Sequence, residues 1–149
     1  MALKPSTGAK RLRELLKDPN HLVLCPGVFD GLTARLALAT GFEAIYMVST
    51  FVEFNRSFLT SHKTGAGTSM SKLGWADLAI ATLDNMRDNA EMIASLDPSI
   101  PVIADADTGY GGPIMVSRTV TQYARSGVAA LHIEDQVNRV QLAIDRSQF

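Results

Sequence analysis

The chain has 149 residues, 46% hydrophobic and 19% charged, the balance of a soluble globular domain able to bury a core of its own. Fourteen Lys and Arg against 15 Asp and Glu leave a formal net charge of -1, which excludes the electrostatic footprint of a nucleic-acid binder or of a protein drawn to an acidic membrane. No apolar run approaches the roughly 20 residues of a membrane helix, and the N-terminus lacks the apolar core of a secretory signal. The single cysteine, Cys25 in "HLVLCPG", cannot pair within the chain and reads as a small buried hydrophobe, so a reducing, cytoplasmic setting is expected. The basic N-terminal stretch is a faint mitochondrial cue, opposed by Glu14 and Asp18.

In chain order, "AKRLRELLKD" puts Leu12, Leu15 and Leu16 on one face and predicts a short amphipathic helix stopped at Asp18-Pro19. "HLVLCPGVFDGLTARLALATG" then predicts a strand over Leu22–Cys25 and a Pro-Gly turn. Asp30 follows as helix N-cap, then a helix carrying Leu32, Leu36 and Ala39, with Gly41 as its stop. "FEAIYM" is the next strand. After it comes "VSTFVEFNRSFLTSHK", residues 48–63, which holds three of the six phenylalanines but has no clean period.

"TGAGTSMS" reads as a small-residue loop, and "DLAIATLDNMRDNAEMIASLD" as a helix with Leu78, Leu83, Met86, Ala90 and Ile93 recurring at about 3.6 until Pro98 ends it. "IPVIADADTGYGGPIMVSRTVTQYARSG" predicts a strand over Val102–Ala104, a glycine-rich polar loop, and a helix from Pro113 to Gly127. "VAALHIEDQ" opens a fourth unit. Short apolar strands alternating with helices predict an α/β fold with a parallel sheet, and each polar loop falls just after a strand, at the edge where such sheets build their sites.

Asp105 and Asp107 stand one residue apart at a strand end, so in extended chain both carboxylates would project to one side. Like charges that close are unfavourable, and a hard divalent cation removes the conflict. Glu134 and Asp135, at the end of the next strand, lie within reach of the same metal shell because parallel neighbours run about 4.8 Å apart. The ordinary alternative is that Asp105 and Asp107 are turn and cap residues before Pro113. Asp77 stands where an N-cap would, and capping without chemistry explains it equally well. Gly65 and Gly67 let backbone amides approach a carboxylate or phosphate, although a flexible glycine loop is the plainer reading, and neither a P-loop nor a dinucleotide fingerprint is present. His132 reads as a satisfied buried histidine rather than a ligand.

"CPGVFDGLTARLA", "TGAGTSMSKLGWADL", "PVIADADTGYGG" and "AALHIEDQV" together resemble, in order and spacing, the isocitrate lyase and phosphoenolpyruvate mutase superfamily, across most of residues 20–137. The similarity is greatest to the fungal-type branch of oxaloacetate hydrolases, dimethylmalate lyases and methylisocitrate lyases. The resemblance implies a (β/α)₈ barrel, of which this chain is the N-terminal half with about four units. It also implies Mg²⁺, with Mn²⁺ as a substitute, stabilising an enolate derived from a small 2-oxo or 2-hydroxy di- or tricarboxylate. Carried over by position, Asp105 would ligate the metal and Asp107 and Glu134 would hold metal-bound waters. Asp77 would be the catalytic carboxylate near the substrate, and Thr64, Gly65 and Ala66 would bind a substrate carboxylate. The full-length family is expected to be homo-oligomeric. Two other readings stay open: a phosphonate mutase or hydrolase, and a non-catalytic fragment that binds metal or associates with full-length subunits.

Two departures from that pattern carry expectations. After "EDQ" the family has a mobile loop with a cysteine in a Lys-Arg/Lys-Cys-Gly-His context. This chain instead reads "VNRVQLAIDRSQF", so residues 138–149 are expected to be a non-family tail and the chain as written to be inactive. Removing the 16 residues 48–63 joins "AIYM" to "TGAGTSMS" as the family runs. Val48-Ser49 can encode a splice donor, Leu59-Thr60 a branch point and Lys63 an acceptor, so the segment reads as translated intron, with a genuine lid insertion as the rival.

Overall fold

The computed structural model describes residues 7–49, 67–75 and 80–135. Within them the elements run α1 (Thr7–Leu15), β1 (Gly27–Val28), α2 (Gly31–Ala39), β2 (Ile45–Met47), α3 (Thr68–Leu73), α4 (Leu83–Leu96), β3 (Val102–Asp105), α5 (Pro113–Arg125) and β4 (Ala130–His132). The strands form one parallel sheet in the order β1-β2-β3-β4. Sequential order means that every crossover returns to the next position on the same side. That is the winding of a (β/α)₈ barrel, whereas a doubly wound sheet reverses its order partway. The chain is thus an arc of about four βα units, as the alternation of strands and helices predicts.

Several local expectations change. The run at Leu22–Cys25 is not a strand. Pairing begins only at Gly27, and Leu22 and Leu24 are 79% and 61% exposed. β1 is an edge of the described sheet, so no described strand lies beyond that apolar run, and Cys25 is half-buried. In α2 the predicted N-cap holds: Asp30 Oδ1 accepts from the Thr33 amide at 2.8 Å, and the Thr33 hydroxyl completes a capping box. The buried face, however, is Ala34 and Ala37, while Leu32 and Leu36 are 69% and 59% exposed and Ala39 also faces out. Small alanines let α2 approach α4 and the strands closely, which the larger leucines could not.

The helix expected to run from Asp77 starts at Leu83, because Thr82 and Asn85 form a reciprocal capping box and stop it from extending further back. Its predicted apolar face holds for Leu83, Met86, Ala90 and Ile93, all buried. "TGAGTSMS" is not loop throughout, since Thr68 begins α3. On β3, Val102, Ala104 and Ala106 point into the helix-covered core, and Ile103 and Asp105 to the other face. α5 starts at Pro113 and ends before Gly127, whose φ of +88° supplies the left-handed stop. Among the described residues no helix is long and apolar enough to cross a membrane.

Candidate active site at the strand ends

Strand pleat and register set what gathers at the C-terminal edge. In β2–β3 the Ile45 amide donates to Pro101 O at 3.0 Å, and Tyr46 pairs with Ile103. In β3–β4, Asp105 pairs with His132. Tyr46, Asp105 and His132 therefore belong to three neighbouring strands near one edge. The Tyr46 hydroxyl reaches His132 Nδ1 at 3.1 Å, crossing over β3 on the face opposite the helices. His132 is exposed rather than buried, but it is partnered, as a strand-end side chain facing the mouth of an arc would be.

Burial pushes the Tyr46 phenol up to about 12, and the negative charges of Asp105 and Glu134 add to the shift. The phenol is therefore neutral at neutral pH. Asp105 on β3 and Glu134 just past β4 thus both lie within electrostatic reach of the phenol. Glu134 is tied in through its backbone, its amide donating to Asp107 O at 2.9 Å.

Asp105 is held on every side. The Ser49 hydroxyl donates to Oδ2 at 2.7 Å and the Ser49 amide to the same oxygen at 3.3 Å. The Asp107 amide donates to Oδ1 at 2.9 Å. The backbone carbonyl of Asp105 accepts from Tyr123 Oη at 3.0 Å, and Tyr110 Oη lies 3.1 Å behind. Because Tyr123 spends its proton on Asp105, Tyr110 must donate to Tyr123. Burial is the main cause that keeps both phenols protonated, pushing Tyr123 up to about 12 and Tyr110 higher still.

The extended geometry expected for Asp105 and Asp107 stops at Asp105. Asp107 has φ +48° and Tyr110 φ +60°, and the Gly109 amide closes onto Ala106 O at 2.9 Å. Asp107 is thus a turn residue in conformation, as the ordinary alternative had it, though it still sits at the acidic edge. Gly109 has φ +85°, and a Cβ there would stand 2.7 Å from Val116 Cγ2, so only glycine lets the loop fold onto α5. A cleft of about 490 Å³ opens between this loop and the start of α4, lined in part by Thr82, Asp84, Asp107, Tyr110 and Arg118.

Among the described residues no group of three or more His, Cys, Asp or Glu side chains is arranged to hold a metal ion directly. The donor chemistry nevertheless suits a hard cation. Carboxylate oxygens dominate, and a shell in which Asp105 alone ligates while Asp107 and Glu134 hold waters needs no three-way convergence. Thr64, Gly65, Ala66 and Asp77 lie outside the described residues.

The stretch flanking residues 50–66 is informative in itself. Thr68 N and Oγ1 donate to Val48 O at 3.2 and 2.7 Å, and Ser69 N donates to Ser49 O at 3.3 Å. Asn89, fully buried on α4, secures this junction by donating from Nδ2 to Thr68 Oγ1 at 3.1 Å and to Phe29 O at 2.9 Å. Each of the two backbone bonds spans 20 residues of chain, and both acceptors belong to residues 48–63; removing that segment would put Thr64 and Gly65 next after Met47, four residues before Thr68 and Ser69, the i to i+4 separation of an α-helix.

The sequence reading missed Tyr46, Ser49, Asn89, Tyr110 and Tyr123. Tyr46 had one signal, a polar-tipped residue on the strand face opposite Ile45 and Met47. The others act through partners far away in the chain and carry no local mark.

A parallel βα arc with an acidic C-terminal edge defines a barrel of the kind that places its chemistry after the strands. The chain belongs to the phosphoenolpyruvate phosphomutase family, whose model matches residues 12–149, a span that includes residues 48–63 and 138–149. It is similar to the isocitrate lyase of Haloferax volcanii, 40% identical over 128 residues, covering 86% of this chain and 32% of that protein. It is also similar to the 2,3-dimethylmalate lyase of Eubacterium barkeri, 39% identical over 129 residues, covering 87% of this chain and 38% of that one. Among solved structures it resembles an oxaloacetate acetylhydrolase in complex with the inhibitor 3,3-difluorooxalacetate, with 54% identity and a TM-score of 0.75, covering 90% of this chain and 40% of the other. The chain spans about a third of the length of the curated relatives it matches.

Proposed function

We propose that the chain carries the metal-binding half of a carbon–carbon lyase or hydrolase site for small 2-oxo or 2-hydroxy di- and tricarboxylates. The observation that carries this reading is the acidic edge, where Asp105, fixed by Ser49, Asp107 and Tyr123, shares its surroundings with Glu134 from the next strand. The names of the relatives, an isocitrate lyase, a dimethylmalate lyase and an oxaloacetate acetylhydrolase, support the substrate class.

In this reading Asp105 ligates Mg²⁺ or Mn²⁺, and Asp107 and Glu134 hold its waters. The cation supplies a fixed positive charge that stabilises negative charge developing on substrate oxygen. Thr64, Gly65 and Ala66 bind a substrate carboxylate through backbone amides, and Asp77 is the catalytic carboxylate beside it. Tyr46, protonated, shares a hydrogen bond with His132 beside the same space. The functional form is a cytoplasmic homo-oligomer, and residues 48–63 are an insertion whose first two positions, held here by Val48 and Ser49, would pass to Thr64 and Gly65 on its removal.

The test is Mn²⁺ binding followed by turnover of oxaloacetate, 2,3-dimethylmalate, 2-methylisocitrate and a 2-oxo phosphonate. The chain as written is expected to bind the metal without turnover, and a chain completed with the C-terminal half of the barrel to show metal-dependent cleavage of one of the di- or tricarboxylates, lost in Asp105→Ala. Turnover of the phosphonate alone would favour the mutase reading, which the description of the matching family supports. Metal binding without turnover of any compound by the completed chain would leave a non-catalytic role.

A further inference from the structure

We propose that Tyr123 is a positioning residue for the Asp105 carboxylate: its hydroxyl occupies the Asp105 backbone carbonyl and thereby frees the Ser49 amide to hold the carboxylate oxygen. The inference rests on the reading of Asp105 as a metal ligand given above, and extends it to how the ligand is aimed.

The argument starts from the ladder. In a parallel pair, alternate residues of one strand direct their amides to one neighbour, and the remaining residues to the other. On β2 and its continuation, Tyr46 N goes to Pro26 O and Val48 N to Val28 O, both at 3.0 Å, on the β1 side. Ile45 N goes to Pro101 O, 56 residues on, on the β3 side. By the same offset Ser49 N should reach Asp105 O. Instead it donates to Asp105 Oδ2 at 3.3 Å, while the carbonyl takes the Tyr123 hydroxyl at 3.0 Å.

A buried carbonyl left without a donor is strongly unfavourable, so the ladder bond cannot open unless something replaces it. Tyr123 is that replacement. Its side chain is 0% exposed, it enters from α5, and Tyr110 donates to its oxygen at 3.1 Å, so the phenol proton has no competing acceptor to serve. The released amide, with the Ser49 hydroxyl at 2.7 Å, fixes Oδ2, and the Asp107 amide fixes Oδ1. The direction of the carboxylate is thus set by a phenol that never touches it.

The test uses the full chain, labelled with ¹⁵N and ¹³C, in wild type, Tyr123→Phe and Tyr110→Phe. In wild type the Ser49 amide nitrogen should show no through-hydrogen-bond coupling to the Asp105 carbonyl carbon. That measurement needs no variant, and a coupling there overturns the proposal. In Tyr123→Phe, which keeps the ring, the coupling should appear. Tyr110→Phe should remain like wild type. Mn²⁺ affinity, read by water-proton relaxation, should fall about tenfold or more in Tyr123→Phe, as for other groups that orient a metal ligand.

Unchanged Mn²⁺ affinity in Tyr123→Phe, with binding abolished by Asp105→Asn, would reduce Tyr123 to packing and overturn the proposal. If Asp105→Asn leaves Mn²⁺ binding intact, the metal reading of Asp105 fails. The Ser49 coupling then still decides whether Tyr123 controls the amide.

Discussion

The Tyr46 hydroxyl and His132 Nδ1 meet at 3.1 Å although 86 residues separate them, because β2 and β4 flank β3 and both side chains leave the same face of the curved sheet. Tyr46→Phe should preserve the fold and lower unfolding free energy by only about 0.5–1.5 kcal/mol, the net value of one such bond. The His132 Nδ1 resonance should move in a long-range ¹H–¹⁵N spectrum, and any metal-dependent turnover should drop at least tenfold. An unmoved His132 ring would show that the contact is not populated.

Alkaline stability follows from the phenols. Tyr46 and Tyr123 are both raised from 10 to about 12, so between those values the unfolded chain has released protons that the folded chain still holds. Stability is therefore fully present below about pH 10 and is lost as pH rises through 12, with Tyr123 alone contributing on the order of 2–3 kcal/mol. Urea midpoints between pH 9 and pH 12 should fall in wild type and fall less steeply in Tyr123→Phe.

Excising residues 48–63 should leave the sheet intact. Excision joins Met47 to Thr64, so Thr64 and Gly65 stand four residues before Thr68 and Ser69 and take over the acceptor places that Val48 and Ser49 hold now. Shortening the closed loop from about 20 residues to 4 should raise stability by about 1–1.5 kcal/mol in the chain-entropy estimate. Urea unfolding and far-ultraviolet circular dichroism of the deleted chain provide the check. Loss of cooperative folding would show that the segment is an integral part of the domain.

Asn89 links the β1–α2 turn to the start of α3 from a buried position, its Nδ2 donating to Phe29 O and Thr68 Oγ1, and its Oδ1 has no partner among the described residues. Asn89→Ala should destabilise by about 2–4 kcal/mol, since it strands a buried carbonyl and opens a cavity. Asn89→Asp should be worse than a simple loss of one bond, because an ionised oxygen would face the Phe29 carbonyl. Chemical denaturation of both variants tests the ranking.

The class and site region were legible without coordinates because they depend on near-neighbour chemistry. Apolar strands alternating with helices of period 3.6 specify parallel α/β. Asp30, Pro113 and Gly127 mark helix ends by local rules, and "DADTGYGG" with "HIEDQ" announces an acidic edge. Which leucines of α2 are buried was not legible. Leu32 and Leu36 have the right spacing, but the close approach of α4 selects Ala34 and Ala37 instead. The start of α4 was misplaced because the Thr82–Asn85 box competes with an apolar periodicity that continues upstream.

By itself the sequence determined the order of strands and helices, the carboxylates available at the sheet edge, and the anomaly of residues 48–63. Only the tertiary structure decided how those carboxylates are held. The Ser49 amide that a regular ladder would give to the Asp105 carbonyl goes to its side chain, since Tyr123, arriving on a helix 18 residues further on, satisfies the carbonyl in its place. Such a substitution is invisible in sequence for a physical reason. A buried polar group demands some donor, but which donor reaches it is settled by packing between distant elements.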